Sequence, residues 1–107
     1  MLPAVLIWLA AAGVAAAMAA IEETHLAAIE ASRLNAFTFL DPEQARATAE
    51  SADVSLPFGG LPMGIKELEP VIGWPWTEAS LVFKDRVADW ESTMTGRIRA
   101  SGAVPVG

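Results

Sequence analysis

The first third of the chain is apolar and then amphipathic, a pattern that predicts helices. Residues 1–21 carry no charged side chain, and alanine dominates from Ala10 to Ala20. Gly13 should weaken the helix, so that a second helix runs from about Val14 to Ser32. The predicted apolar face of that helix contains Val14, Met18, Ile21, His25, Leu26 and Ile29, and leaves Glu22, Glu23, Glu30 and Arg33 outside.

Short elements of both kinds are predicted next. Residues 35–40 (NAFTFL) indicate a short strand or an extended link. Asp41 and Pro42 are typical of a helix start, Gln44 would complete a capping box, and the helix should continue to about Ala52. The small side chains expected to pack closely against a neighbour are Ala45, Ala49 and Ala52.

The second half combines loops with further short elements. Residues 56–62 are rich in Gly and Pro and predict a loop, Met63–Leu68 predicts a buried strand, and residues 71–82 predict irregular structure. A helix from Asp85 to Ser101, stopped by Gly102, should precede a strand at 103–106. The predicted apolar stripe of this helix is Val87, Trp90, Met94 and Ile98. Alternating helices and strands favour the α/β class.

Composition excludes several kinds of protein. The 107 residues are 53% hydrophobic and 19% charged, with seven Lys/Arg against thirteen Asp/Glu. A net charge of −6 argues against binding a phosphate backbone, so no nucleic acid is expected as a partner. The chain has no cysteine and a single histidine, so thiolate chemistry and a multi-histidine metal centre are excluded within it.

The uncharged N-terminus has three interpretations. Residues 2–21 are long enough to span a bilayer of roughly 30 Å as a helix. Alanine contributes little to insertion, however, and no Lys or Arg precedes Arg33. The missing basic residues also speak against a secretory signal cleaved near Ala15–Ala19. The third interpretation is a set of Ala-rich helices docked on a larger body.

Lys66 is a candidate catalytic residue because of its position in the sequence. A lysine in a buried strand is desolvated, which lowers its pKa and favours the neutral amine that can act as a general base. The plain alternative is a solvent-facing lysine on an edge strand, paired with Glu67 or Glu69. The residues alone leave both interpretations open.

Several motifs occur in a characteristic order around Lys66. They are Leu34–Phe37, Ala45–Asp53, Leu61–Glu67, then Gly73, Thr77 and Ser80, and finally Ile98–Gly107. Residues 35–107 thereby resemble the N-terminal part of the amidase signature family, whose pattern is a "pLxGxPxxIKD" strand, a "GxxTxxGS"-like loop and a helix ending "LRxAGAxxxG". Residues 21–33 are also similar to the family's second N-terminal helix, which favours docked helices over a membrane segment.

The resemblance implies a fold, an activity and one site residue. The fold is the N-terminal fragment of a mixed-sheet α/β/α domain, with Ala-rich helices at 1–33 and a truncated amidase domain at 34–107. The activity is hydrolysis of the C–N bond of a small-molecule amide by a Ser–cis-Ser–Lys triad, in which Lys66 corresponds to the base. No cofactor or metal is implied. The alternative is a small membrane-anchored or interaction protein without catalytic activity.

The resemblance also implies what this segment does not contain. The family's two serines stand in a Gly/Ser-rich segment well downstream of the lysine. The missing C-terminal part of the domain is therefore an expected partner, and the 107 residues should be inactive alone. The expected location is the cytoplasm, or the membrane if residues 2–21 insert. The serines that do not match such a segment are Ser51, Ser55, Ser80, Ser92 and Ser101.

Some positions depart from the family pattern or have plainer explanations. Glu67 stands where Asp is commoner, and Trp76 and Glu78-Ala79 replace small residues before Ser80. Trp74 and Trp76 should pack a long loop onto the core rather than line a substrate entrance, and His25 should be a packing residue. The pairs Glu22/Glu23 and Glu67/Glu69 should form solvated faces.

Overall fold

Helices predominate, and two short strands join the second half of the chain into a sheet. The computed structural model describes the backbone of residues 4–107 and the side chains from residue 12 onward. The elements in chain order are α1 (Ala4–Ala31), α2 (Pro42–Glu50), β1 (Pro62–Met63), a 3₁₀ turn (Leu81–Phe83), α3 (Thr93–Ala100) and β2 (Val104–Pro105).

The N-terminal helix α1 is continuous, so the predicted interruption at Gly13 is wrong. A helical glycine costs about 1 kcal/mol relative to alanine. The alanines around Gly13 are the best helix formers, and a single glycine among them is tolerated. The predicted membrane segment 2–21 begins outside the described residues. Within them, Ala12–Ala31 is long and apolar enough to cross a bilayer by length and composition alone.

The buried face of α1 also differs from the predicted one. Glu22 and Leu26 are buried, whereas Ile21 and His25 are exposed. The helix is therefore rotated so that Met18, Glu22, Leu26 and Ile29 follow one another at spacings of four, four and three residues toward α2 and β2. The reason is tertiary, since the alanine face of α2 receives this side of α1.

Helix α2 begins as predicted, with Asp41 as its N-cap. The Asp41 Oδ1 accepts the backbone N–H of Gln44 at 3.2 Å. The reciprocal half of the capping box does not form, because the Asp41 N–H donates to the Val106 carbonyl at 3.0 Å. Ala45 and Ala49 are fully buried, which confirms the close packing predicted for this face, and Ala52 lies half-buried just beyond the helix.

The two strands pair in parallel and are joined through α3. Pro62 lies opposite Val104 and Met63 opposite Pro105. The ladder extends beyond the strands at both ends, because Val104 N–H donates to Leu61 O at 2.8 Å and Ile65 N–H donates to Gly107 O at 2.8 Å. The predicted C-terminal strand is confirmed, whereas the strand predicted at Met63–Leu68 is only the two residues of β1.

Helix α3 is capped seven residues later than predicted, by Ser92 instead of Asp85. Residues 86–88 pair with the backbone of residues 73–76, with an antiparallel bridge between Pro75 and Val87. That pairing keeps the segment after Asp85 extended. Ser92 then caps the helix, because its hydroxyl accepts the Thr95 N–H at 3.1 Å. The predicted apolar stripe is wrong as a consequence, since its members Val87, Trp90 and Met94 are all exposed.

A small core joins the helices to the sheet. It consists of Leu26, Ala45, Ala49, Val104 and Val106, with Met18, Ile29 and Phe37 packed against it. The α/β class is therefore confirmed as a helix-rich chain with a short parallel sheet. Lys66 follows the end of β1, at one edge of this body.

Candidate active site around Lys66

Lys66 lies immediately after the ladder that joins β1 and β2. The preceding residue, Ile65, donates its N–H to the Gly107 carbonyl, and the Lys66 carbonyl accepts the Glu69 N–H at 2.8 Å. The backbone of Lys66 is thus held on one side by the sheet and on the other by a tight turn. Its position is set by sheet pairing and not by its own side chain.

The side chain of Lys66 is exposed, so the prediction that it lies in a buried strand is wrong. The strand ends at Met63, and the turn at residues 67–69 brings the lysine to the surface of the described chain. Within residues 12–107, its ammonium group makes no ion pair.

An open cleft of about 650 Å³ lies beside Lys66. One wall is the extended link before α2, another is the turn after β1, and a third is the loop around Trp74. The residues of the link are 36–39, those of the turn are 64–69, and the remaining lining residues are Val71, Trp74, Pro75, Glu78, Ala79 and Gly107. Three segments distant in sequence therefore meet at the lysine.

The carboxylate of Glu67 connects those three segments. Its Oε1 accepts the Thr77 N–H at 3.1 Å and also the Thr77 hydroxyl, and its Oε2 accepts the Thr38 hydroxyl at 3.3 Å. The hydrogen bond from the Thr77 hydroxyl lowers the pKa of Glu67, and those from the Thr77 N–H and Thr38 add to this effect. Partial burial opposes it. Glu67 is therefore ionised at neutral pH.

Trp74 both packs the loop and lines the cleft. It is buried, and its ring lies 5.3 Å from that of Phe39 between centroids. Its Nε1–H is shared between Asp41 Oδ2 at 3.2 Å and Gln44 Oε1 at 3.3 Å. The predicted packing role of Trp74 is confirmed, and the same contacts tie the cleft wall to the first turn of α2.

Arg86 stabilises the far rim of the cleft. Its guanidinium lies 3.8 Å from the centroid of the Trp76 ring and 4.2 Å from that of Phe83, and its Nε donates to the Trp76 carbonyl at 2.6 Å. It also pairs with Glu78 at 3.2 Å. Glu78 and Ala79 both adopt positive φ, at 51° and 54°, a conformation that usually requires glycine.

None of the five serines named above lines this cleft. Each instead bonds to its own neighbourhood, as capping or turn residues do. Ser80 and Ser92 accept backbone N–H groups at helix starts, while the hydroxyls of Ser51 and Ser101 donate to carbonyls of the preceding turn. Ser55 donates to Asp53. The described residues therefore bring no serine to Lys66.

Two expectations about α1 are wrong. His25 is exposed, with Nδ1 2.8 Å from the Ile21 carbonyl, so it is not a packing residue. Glu22 is fully buried rather than solvated, and neither of its carboxylate oxygens has a hydrogen-bond partner within the described chain.

Over residues 12–107 no cluster of three or more His, Asp or Glu side chains could hold a metal ion.

The expectation that Glu67 lies on a solvated face is wrong, because its carboxylate accepts hydrogen bonds from Thr77 and Thr38. Thr77 is ten residues away and Thr38 twenty-nine, and no short-range pattern links them. For Glu22 a signal was present, since it stands midway between Met18 and Leu26 at spacings of four residues.

The region around Lys66 is similar in sequence to known proteins. The sequence profile of the family described as Amidase matches residues 19–107. The chain is 42% identical over 92 residues to a glutamyl-tRNA(Gln) amidotransferase subunit from Rhodopseudomonas palustris strain BisB18, and 40% identical over 92 residues to the corresponding protein from Nitrobacter hamburgensis. Each alignment covers 79% of this chain and 19% of the relative.

A solved structure is similar to most of the described fold. It is a vestigial protein complex that reveals the evolutionary origins of an s-triazine catabolic enzyme. The superposition has a TM-score of 0.78 at 30% sequence identity, and covers 89% of this chain and 24% of the other. The chain therefore spans about a fifth to a quarter of the length of the proteins it matches.

Proposed function

Because the chain belongs to the Amidase family, we propose that the full-length protein carrying it hydrolyses the C–N bond of carboxylic amides, with Lys66 as the base. The observation that carries the proposal is the position of Lys66. It stands in the matched stretch, directly after a paired strand, and its backbone is held at the edge of a cleft.

In the proposed reaction, the neutral amine of Lys66 accepts a proton through a bridging serine. The nucleophilic serine then attacks the amide carbonyl, and the proton passes from Lys66 to the leaving nitrogen, so that ammonia or an amine departs and an acyl-enzyme forms. Water then hydrolyses the acyl-enzyme to the acid. Both serines would come from the remainder of the polypeptide, which would also cover Lys66. Burial of the lysine by that remainder would favour the neutral form that the step needs.

The test is substitution of Lys66 in the full-length protein, with ammonia release from primary amides as the assay. Lys66→Ala should lower kcat by about 10²–10⁴-fold, the usual contribution of a general base. Lys66→Arg should be equally inactive, because a guanidinium keeps its proton at the assay pH.

Arg97→Ala is the control. Arg97 is an exposed cation on α3 that does not line the cleft around Lys66, and its replacement should leave kcat unchanged. Retention of activity by Lys66→Ala, in a protein with normal thermal unfolding, would exclude Lys66 as the base.

We also propose that the full-length protein binds another polypeptide, without specifying which one. The relatives above are named as subunits of amidotransferases, and the similar solved structure is a complex. These names support assembly of the full-length protein with another polypeptide. A small-molecule amide is the proposed substrate. Neither partner is specified further by the cleft.

We also propose a cytoplasmic location rather than anchoring through residues 2–21. The support is that one side of α1 packs on α2 and β2 through Leu26 and its neighbours, as expected of a helix docked on a domain. Carbonate extraction of cell membranes tests this. The full-length protein should be released into the soluble fraction, and retention in the membrane pellet would favour the anchored alternative.

A further inference from the structure

Glu67 has an arrangement of contacts that its neighbours lack. It is the residue directly after Lys66, and its two carboxylate oxygens accept hydrogen bonds from two different segments. The Thr77 N–H and hydroxyl bond to Oε1, and the Thr38 hydroxyl bonds to Oε2. These donors lie on the cleft loop and on the link before α2.

The backbone of Lys66 depends on few other contacts. On its N-terminal side the Ile65 N–H reaches the Gly107 carbonyl, and on its C-terminal side a single turn bond joins the Lys66 carbonyl to the Glu69 N–H. A lysine side chain has four rotatable bonds, and that of Lys66 is exposed here. Because the described residues do not hold the side chain itself, the backbone sets the position and direction of the Cα–Cβ bond from which the amine extends.

From this geometry we propose that Glu67 is a positioning residue. By binding Thr77 and Thr38 it fixes the turn after β1 against the other two walls of the cleft, and so orients Lys66 toward the reacting serines. The inference rests on the proposed function of Lys66. It assigns Glu67 no contact with the substrate and no proton transfer.

Four variants of the full-length protein test this proposal. Glu67→Gln keeps the shape of the side chain but removes its charge, which weakens all three hydrogen bonds. We expect kcat to fall about tenfold or more with KM changed less than about twofold, because misplacement of a catalytic group affects the chemical step. Thr77→Val, which removes one donor, should change kcat in the same direction.

Rescue and coupling make the test specific. Glu67→Asp keeps a negatively charged carboxylate on a side chain that is one methylene shorter. It should recover most of the kcat lost in Glu67→Gln. The double variant Glu67→Gln/Thr77→Val should be no slower than Glu67→Gln, since both changes remove the same interaction.

A structural control separates positioning from stability. Ser92→Ala removes the side-chain N-cap of α3, keeps the backbone bond from Ser92 to Pro70 and changes no residue that lines the cleft. It should lower the midpoint of thermal unfolding while leaving kcat unchanged. If Glu67→Gln lowers that midpoint as Ser92→Ala does and keeps the wild-type kcat, Glu67 is only structural and the proposal is overturned.

Lys66→Ala, assayed in parallel, separates the hypothesis that Lys66 is the base from the hypothesis that Glu67 positions it. An inactive Lys66→Ala together with a fully active Glu67→Gln would overturn the role of Glu67 alone. An active Lys66→Ala would overturn the proposed function, and the role of Glu67 with it.

Discussion

Glu22 carries a carboxyl group into the contact between α1 and α2. Both of its oxygens are buried without a hydrogen-bond partner in the described chain. Burial raises the pKa of Glu22 above its ordinary value of 4.5, and the charge of Glu23 adds to this, while His25 and Arg46 oppose it. The folded state therefore holds the proton more tightly than the unfolded state.

This shift has a definite sign for stability. The contribution of a group with a raised pKa is fully present below its unfolded pKa, here about 4.5, and is lost as the pH rises through the raised value. The free energy of unfolding should therefore decrease as the solution moves from acidic to neutral pH. At neutral pH, Glu22 is a cost to the folded state.

Replacement of Glu22 by leucine should remove that cost. We expect Glu22→Leu to raise the free energy of unfolding at neutral pH by about 1–3 kcal/mol, the cost of a buried polar group without a partner. It should also weaken the dependence of stability on pH. Urea unfolding of the full-length protein at constant ionic strength, from about pH 4 to about pH 8, would measure both effects.

Glu30→Leu is the matched control, because Glu30 is exposed on the same helix. Its effect on the free energy of unfolding should be small at every pH. A Glu22→Leu protein that is less stable than wild type at neutral pH would contradict the expectation, and would indicate that the full-length protein supplies a partner for the carboxylate.

At the residue scale, the sequence was informative where one side chain conflicts with its surroundings. Lys66 stood out as a cation in an apolar segment, and Gly102, which ends α3 with φ at +91°, stood out as a stop signal. Glu67 gave no such signal, because its importance lies in contacts with Thr38 and Thr77. Pairings across 29 and ten residues depend on the tertiary fold.

At the element scale, the boundaries that were predicted correctly are set by local chemistry. The start of α2 follows from Asp41 and Pro42, since a capping side chain and a proline act within one turn. The strand β2 follows from the apolar run after Gly102. The information needed for these boundaries lies within a few residues of each.

The elements that were mispredicted depend on pairing between distant segments. Residues 86–88 have helix-compatible spacing but pair with residues 73–76, so α3 begins only at Thr93. The face of α1 was misassigned because the alanines of α2 select which side is buried. Hydrophobic periodicity alone does not predict that residues 86–88 pair with residues 73–76, or that α1 packs on the alanines of α2.

At the scale of the whole molecule, the described chain is not compact. Its radius of gyration is 15.9 Å, whereas about 13 Å is typical of a globular domain of this length. Large apolar side chains are exposed at Leu34, Leu81 and Val82, each more than 80% accessible. The proteins it matches are about four times as long, and the chain aligns with only part of each.

The same features predict how residues 1–107 behave when produced alone. Nine apolar residues of the described chain are buried and four of them are alanine, so the buried apolar area is small beside the exposed apolar surface and should offset chain entropy only weakly. We expect this polypeptide to bind a hydrophobic dye such as ANS, to unfold over a broad temperature range by circular dichroism and to release no ammonia from amides. The full-length protein should unfold cooperatively and bind little dye. A sharp thermal transition without dye binding by residues 1–107 would contradict the expectation, and would make this segment an independently folding unit.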